Sequence, residues 1–304
     1  MRKRYPEKEL SSLFFEENNL DIKESNKIGD FVKKLNEFYK DFKLNLEVLF
    51  SALTAKDKID LSRFNSIPHF RHAPLAGNRF YHSTPGISFQ QISSNLRFLL
   101  TINGAKTTEI DLAASSIQFL NIVLRKQGYN FSELEKALAQ KDPYQYFLER
   151  INSLEFQEAH KSGEISRDSL KKMIYTLIYS LSKTQSRSVE IYLKRYSENL
   201  TYADINKEFP EFFSAIEVLK SIPIGEVNGK TCEGVVPPHQ SIFREESSFV
   251  REVLKRGCLD SAIPILPLHD SFIAPAENYS DLEKIIIKAS KDMYNRVLHY
   301  KKKF

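Results

Sequence analysis

Asp111, Asp270 and, between them, Arg167, Lys171, Tyr175 and Tyr179 are the residues of this 304-residue chain whose types and spacing could do chemistry. Asp111 lies near the end of a strand-like run from Thr107 to Leu112. Asp270 follows His269 in the middle of the apolar stretch Pro264–Pro275, where a carboxylate needs a reason. Both stretches read as short strands bounded by turn-forming residues. Two carboxylates on neighbouring strands can hold a pair of Mg²⁺ ions about 3.5–4 Å apart, which activates an attacking hydroxyl and stabilises the leaving oxygen in phosphoryl transfer. Taken singly, Asp111 also serves as a helix cap and Asp270 as a turn residue, because Asp favours both places.

The four other side chains recur every fourth position in the run from Ser166 to Tyr179. On a helix each step of four advances by about 40°, so Arg167, Lys171, Tyr175 and Tyr179 wind along one stripe with Ser166 as a candidate N-cap. Two cations followed by two rings suit a triphosphate and a base. The same pattern describes an amphipathic helix with a solvated basic start and core tyrosines.

The elements that must position these residues are mostly helical. Phe31, Leu35, Phe38, Phe42, Leu44 and Leu46 follow a roughly helical period, so residues 1–60 read as a helical N-terminal region. Residues 63–95 read as loop or short strands because Pro, Gly, Ser and Asn are dense there. A helix with apolar Ile117, Leu120, Val123 and Leu124 follows Asp111. Helices dominate from 131 to 220, a hairpin or loop turns at Asn228-Gly229, another helix spans 240–256, and a final amphipathic helix spans 279–300.

Composition sets wide bounds. The net charge of +5 arises from 44 basic and 39 acidic residues, so it permits a polyanionic partner without demanding one. The two cysteines, Cys232 and Cys258, match neither a zinc module nor a disulfide scaffold. No run reaches the roughly 18 apolar residues of a membrane span, and the basic start lacks the apolar core of a leader. A soluble, cytoplasmic protein without a membrane partner is expected.

Three stretches together resemble the polymerase core shared by the single-subunit phage and mitochondrial RNA polymerases and the family A DNA polymerases. Asp111, Ser115, Ile117 and Gln118, with Phe119 or Leu120, resemble the first catalytic motif in its RNA-polymerase form, D-G-S-x-S-G-I-Q-H-F. Arg167, Lys171, Tyr175 and Tyr179 resemble the fingers-helix motif R-x-x-x-K-x-x-x-[MF]-x-x-x-Y-G, and His269-Asp270-Ser271-Phe272 resembles the last motif. Arg79 and Tyr81 resemble a G-R-x-Y element, and Asp142 with Tyr144 a D-x-Y segment. His239 and Gln240 occupy the place of a helix that reaches the nucleic-acid duplex. Ser180 and Asn78 stand where the family has Gly.

The resemblance implies an α+β right-hand core with a small antiparallel palm sheet and a mostly helical fingers insertion. The implied division is 1–60 as a helical region or reduced thumb, 61–130 as the first palm segment, 131–235 as fingers and 236–304 as the second palm segment. It implies that Asp111 and Asp270 ligate two Mg²⁺ ions, with Mn²⁺ an alternative, helped by the carbonyl of Ile110 or Leu112. Arg167 and Lys171 would bind the triphosphate, Lys171 would protonate pyrophosphate, and Tyr175 and Tyr179 would line the nascent pair. Arg79, Tyr81, His239 and Gln240 would touch nucleic acid, and His269 would orient the growing end. The expected partners are a template, a product strand, nucleoside triphosphates and an accessory replication or transcription protein.

Family A DNA polymerases carry a Glu five positions after the first-motif Asp, which blocks a ribose 2′-hydroxyl. Ser116 stands there and leaves space for that hydroxyl. The expectation is therefore a minimal, primase-like RNA-synthesising enzyme. A DNA polymerase on the same core, an inactive nucleic-acid-binding relative and a metal-dependent nuclease are the competing readings.

Overall fold

The computed structural model describes residues 19–46, 68–73, 79–82, 88–92, 96–152, 154–163, 165–179, 206–221, 226–227, 230–231 and 240–303. In chain order the elements begin with α1 (Asn19–Tyr39), β1 (Leu44–Leu46), β2 (Phe70–Ala73), β3 (Arg79–His82), β4 (Leu100–Ile102) and β5 (Ala105–Leu112). Helices follow: α2 (Ser115–Lys126), α3 (Ser132–Leu138), α4 (Pro143–Leu148), α5 (Leu154–Lys161), α6 (Arg167–Tyr179) and α7 (Pro210–Ser221). The last group is β6 (Glu226–Val227), β7 (Lys230–Thr231), α8 (Gln240–Leu254), β8 (Leu266–Leu268), β9 (Ser271–Pro275), α9 (Tyr279–Tyr294) and β10 (Tyr300–Lys302). The fold is mixed α+β with a small antiparallel sheet.

Two compact units divide the chain, one formed by residues 1–112 with 246–304 and the other by 113–245. Residues 113–130 and 240–245, expected in the palm segments, thus cluster with the helical unit.

The sheet belongs to the first unit. Its strands run in the order β1-β4-β5-β9-β8, and β10 joins the same edge of β5 that β4 uses. β4 pairs with the start of β5 at Ala105 and Lys106, whereas β10 pairs with its end, Tyr300 opposite Leu112 and Lys302 opposite Ile110. On the other edge, β9 pairs from Thr107 opposite Pro275 to Asp111 opposite Ser271. Ile110 and Leu112 share one face of β5 and are buried, with Ile110 paired opposite the buried Phe272. α1 contributes Ile28, Val32, Leu35 and Tyr39, one apolar stripe at helical spacing. The Tyr39 hydroxyl donates to the carbonyl of Ile265, just before β8.

Three expectations need correction here. Leu44 and Leu46 belong to strand β1, paired with Ile102 and Leu100, and not to the preceding helix, which ends at Tyr39. Positions spaced by two satisfy a strand as well as the edge of a helical stripe, so periodicity could not separate them. The last helix stops at Tyr294, where Asn295 adopts a left-handed conformation at φ 53°, and β10 follows it. The helix expected over 240–256 is α-helical to Leu254 and continues as a π-turn over Lys255–Leu259. The hairpin expected near 228 is present as the β6–β7 pair, with Val227 opposite Lys230.

Among its described residues, the second unit is helical apart from that hairpin. α6 buries Leu170, Met173, Ile174, Leu177 and Ile178, a full core stripe at spacings of three and four. Arg167, Lys171, Tyr175 and Tyr179 flank that stripe and are half-buried. Asp142 caps α4 by accepting from the backbone amides of Tyr144 and Gln145, with Pro143 in the first turn.

Candidate functional site

The first-unit cluster grows from the hairpin between β8 and β9. Leu268 pairs with Ser271, so His269 and Asp270 form a two-residue turn. His269 takes φ 52°, the positive value such tight hairpin turns demand. The turn is tied to the end of β5, because the amide of Leu112 donates to the carbonyl of Asp270 at 2.9 Å. Asp111 and Asp270 are therefore brought to neighbouring ends of adjacent strands. Burial first, and the Asp270 carboxylate second, raise the Asp111 carboxyl above its usual range, while Lys303 and Lys301 oppose the rise.

Several charged residues surround this pair. Lys303 Nζ lies 2.9 Å from Glu109 Oε1 and 3.2 Å from Asp111 Oδ1, and Lys301 Nζ lies 3.7 Å from Asp111 Oδ2. Glu109, two residues before Asp111 on the same face of β5, is fully buried. Arg97 holds it with Nη1 at 3.1 and 3.2 Å from its two oxygens. Burial lowers Lys303, but Glu109 and Asp111 outweigh it and raise the ammonium overall.

Arg79 from β3 and Glu246 from α8 form a second ion pair, Nη2 to Oε1 at 2.7 Å, with Glu246 only 3% exposed. Arg79 and Glu246 line a small cavity with Phe80, Ser247, Val250, Pro267 and His269. The rings of Tyr81 and His269 meet edge to face at 5.7 Å. His269 keeps exposed surface. Even so, loss of hydration, then the Arg79 cation, holds the imidazole below its usual range against the pull of Asp270, and Arg97 adds a smaller push.

Burial pushes Glu246 up to about 7, with Arg79 pulling the other way and Asp270 adding to the rise. A carboxyl raised on folding contributes stability that is present below its ordinary value of 4.5 and lost as pH rises through about 7. Denaturant unfolding between pH 4.5 and 8 is expected to show the wild-type chain losing on the order of 3 kcal/mol relative to Glu246→Gln. Parallel pH curves for the two proteins would contradict this assignment.

The second-unit cluster gathers the residues of α6. The Arg167 Nε donates to Asp142, and its Nη1 donates to Asp168 at 3.0 Å. Burial acts to raise Asp142, but the Arg167 guanidinium and the two helix amides win and hold it below the usual carboxylate range. Arg167 and Lys171 lie over the ring of Tyr144, at 5.3 and 5.9 Å, and Lys171 lies 5.4 Å from the Tyr175 ring. Tyr175 meets Tyr179 at 5.8 Å, and Tyr179 stacks on Phe243 at 5.3 Å. Ser116 Oγ and Tyr179 Oη share a hydrogen bond of 2.6 Å. Gln240 is the buried first residue of α8, and His239 lies outside the described residues.

The first-unit cluster thus holds Asp111, Asp270, His269, Arg79 and Tyr81, and the second-unit cluster holds Ser116, Arg167, Lys171, Tyr175 and Tyr179. Sequence reasoning missed Glu109, Arg97, Glu246, Lys301 and Lys303. Glu109 carried a usable signal, since alternation in a strand puts it on the face of Asp111. The lysines carried none, because their place depends on a strand register set some 190 residues away in the chain.

Asp111 and Asp270 fit a hard divalent cation. Among the described residues no group of three or more His, Cys, Asp or Glu forms a metal cage. A pair of mutually repelling carboxylates is what Mg²⁺ uses when phosphates and water supply its remaining oxygens.

No family model and no curated protein matches the chain. Among solved structures, it matches the POL domain of Pol1 from M. smegmatis, in complex with DNA primer-template and dNTP, at TM-score 0.53 and 13% sequence identity. The fold is similar to that of a DNA polymerase domain. The match covers 78% of this chain and 47% of that one, so the chain spans about half the length of the polymerase domain it resembles. No helix among the described residues is long and apolar enough to cross a membrane.

Proposed function

We propose that this polymerase-like chain is a template-directed nucleotidyltransferase that joins nucleotides by two-metal phosphoryl transfer, with RNA as its product. The observation that carries the reading is the placement of Asp111 and Asp270 at neighbouring ends of β5 and the β8–β9 turn, within a polymerase-like fold. Asp111 and Asp270 would hold the Mg²⁺ ions, which would supply charge stabilisation on the transferred phosphoryl group.

The remaining roles fall to the chain's own side chains. Arg167 binds the triphosphate through its planar guanidinium, and Lys171 offers a point charge and a proton to the departing pyrophosphate. Tyr175 and Tyr179 line the nascent base pair. Arg79 and Tyr81 contact the product strand, and His269 orients its growing end beside Asp270. The resemblance gives His239 and Gln240 a place near the duplex, although Gln240 is buried at the start of α8.

Ser116 supports ribonucleotide use because its short side chain leaves room beside the sugar, and its hydrogen bond to Tyr179 places it against the α6 ring stripe. The neighbour's complex with dNTP favours the other sugar. The deciding assay is extension of primed and unprimed single-stranded templates with ribo- or deoxyribonucleotides in Mg²⁺ or Mn²⁺. Ribonucleotide incorporation that Ser116→Glu selectively suppresses is the expected result. Extension with deoxyribonucleotides alone would overturn the RNA assignment, and no incorporation with either set would overturn the polymerase assignment.

A further inference from the structure

Strand β10 does more than extend the sheet. Its register with β5 sets Lys301 opposite Asp111 and Lys302 opposite Ile110, and the amide of Lys303 donates to the carbonyl of Glu109 at 2.9 Å. That backbone frame carries the Lys303 ammonium to a position between two carboxylates, 2.9 Å from Glu109 and 3.2 Å from Asp111. Resting on the metal reading of Asp111, we propose that Lys303 is a displaceable internal cation that competes with the divalent ion for Asp111 and so sets the protein's metal affinity.

The physical case rests on competition for one oxygen. An ammonium within hydrogen-bonding range of Asp111 Oδ1 neutralises part of the charge a divalent ion would use, and the two cations repel at such separation. Lys303 is 31% exposed in its side chain, so it has room to swing aside. Glu109 gives it somewhere to go. That carboxylate already contacts Lys303 and stays paired with Arg97, so neither the buried Glu109 nor the lysine is stranded when Asp111 turns to the ion. The backbone bonds of β10 do not involve the ammonium, so the strand holds its place in both states. Lys301, 3.7 Å from Asp111 and 58% exposed, acts in the same sense but more weakly.

The test is a titration of the full chain with Mn²⁺, read by electron paramagnetic resonance, without nucleotide or nucleic acid. Lys303→Met is expected to bind Mn²⁺ about two- to fivefold more tightly than wild type, the range a partly exposed ion pair commands. Lys301→Met is expected to gain less, Lys303→Arg to stay near wild type, and the gain to vanish when Asp111→Asn is added. In the unmutated protein, Mn²⁺ is expected to speed acetylation of Lys303 by an amine-reactive reagent, a readout that does not depend on a variant folding. Mn²⁺ affinity that falls with Asp111→Asn but is unchanged or weaker in Lys303→Met overturns the competition and leaves the metal reading standing. Unchanged Lys303 reactivity on Mn²⁺ binding overturns it too. Mn²⁺ binding that ignores both Asp111→Asn and Asp270→Asn overturns the metal reading, and the competition with it.

Discussion

Asp111→Asn or Asp270→Asn is expected to cut nucleotide incorporation by at least about 10³-fold, because each removes a charge from a metal pair that supplies several kcal/mol of transition-state stabilisation. The fold is expected to survive both changes. Burial and the Asp270 carboxylate outweigh Lys303 and Lys301 and raise Asp111, so the isosteric amide at 111 relieves more repulsion than the attraction it loses, and the amide at 270 removes a charge that repels Asp111. A thermal melt at or above that of wild type, together with retained template binding, separates lost chemistry from lost structure. Synthesis retained in both variants would refute the assignment of these residues.

The second large effect is expected at α6. Arg167→Ala and Lys171→Ala should each lower kcat/KM for the incoming nucleotide by about 10²–10³-fold, the range seen when one preorganised donor to a developing charge is removed. The two losses should differ in kind. Arg167 acts on bound triphosphate and should raise KM, with little recovery in Arg167→Lys, since an ammonium cannot reproduce the planar fork. Lys171 acts on the leaving group and should lower kcat. Single-nucleotide kinetics over a range of nucleotide concentrations distinguishes these outcomes. Equal KM and kcat for wild type and variants would leave the cation stripe as an ordinary amphipathic helix.

How much of this could be read before the structure differs from element to element. The α6 stripe is legible because four positions at a constant step of four define a helical line, and the structure has a helix there from Arg167 to Tyr179. The strand ending in Asp111 and the hairpin around His269-Asp270 are legible because short apolar runs and turn residues are local signals. Leu44 and Leu46 are not, since a three-residue strand gains its stability from pairing with Leu100 and Ile102 and not from its own propensity. Arg79 was singled out from sequence, yet its partner Glu246 sits in a charged run that reads as a solvated helix face. Burial of that face is decided by what packs on it. The same holds for the lysines after Tyr300, whose composition alone describes a solvated tail.

The shared edge of β5 also bears on how the sheet forms. β4 reaches its half of that edge through a short turn at Asn103-Gly104, so this pairing closes early and cheaply. β10 fills the other half only after the whole second unit, the rest of α8, β8, β9 and α9, a pairing of high contact order that is slow to close. Until it docks, Ile110, Asp111 and Leu112 present an open strand edge, the kind that recruits another chain. The lysines of β10 then have a second use, since an edge strand rich in positive charge is itself a poor template for further strands once it has closed the sheet.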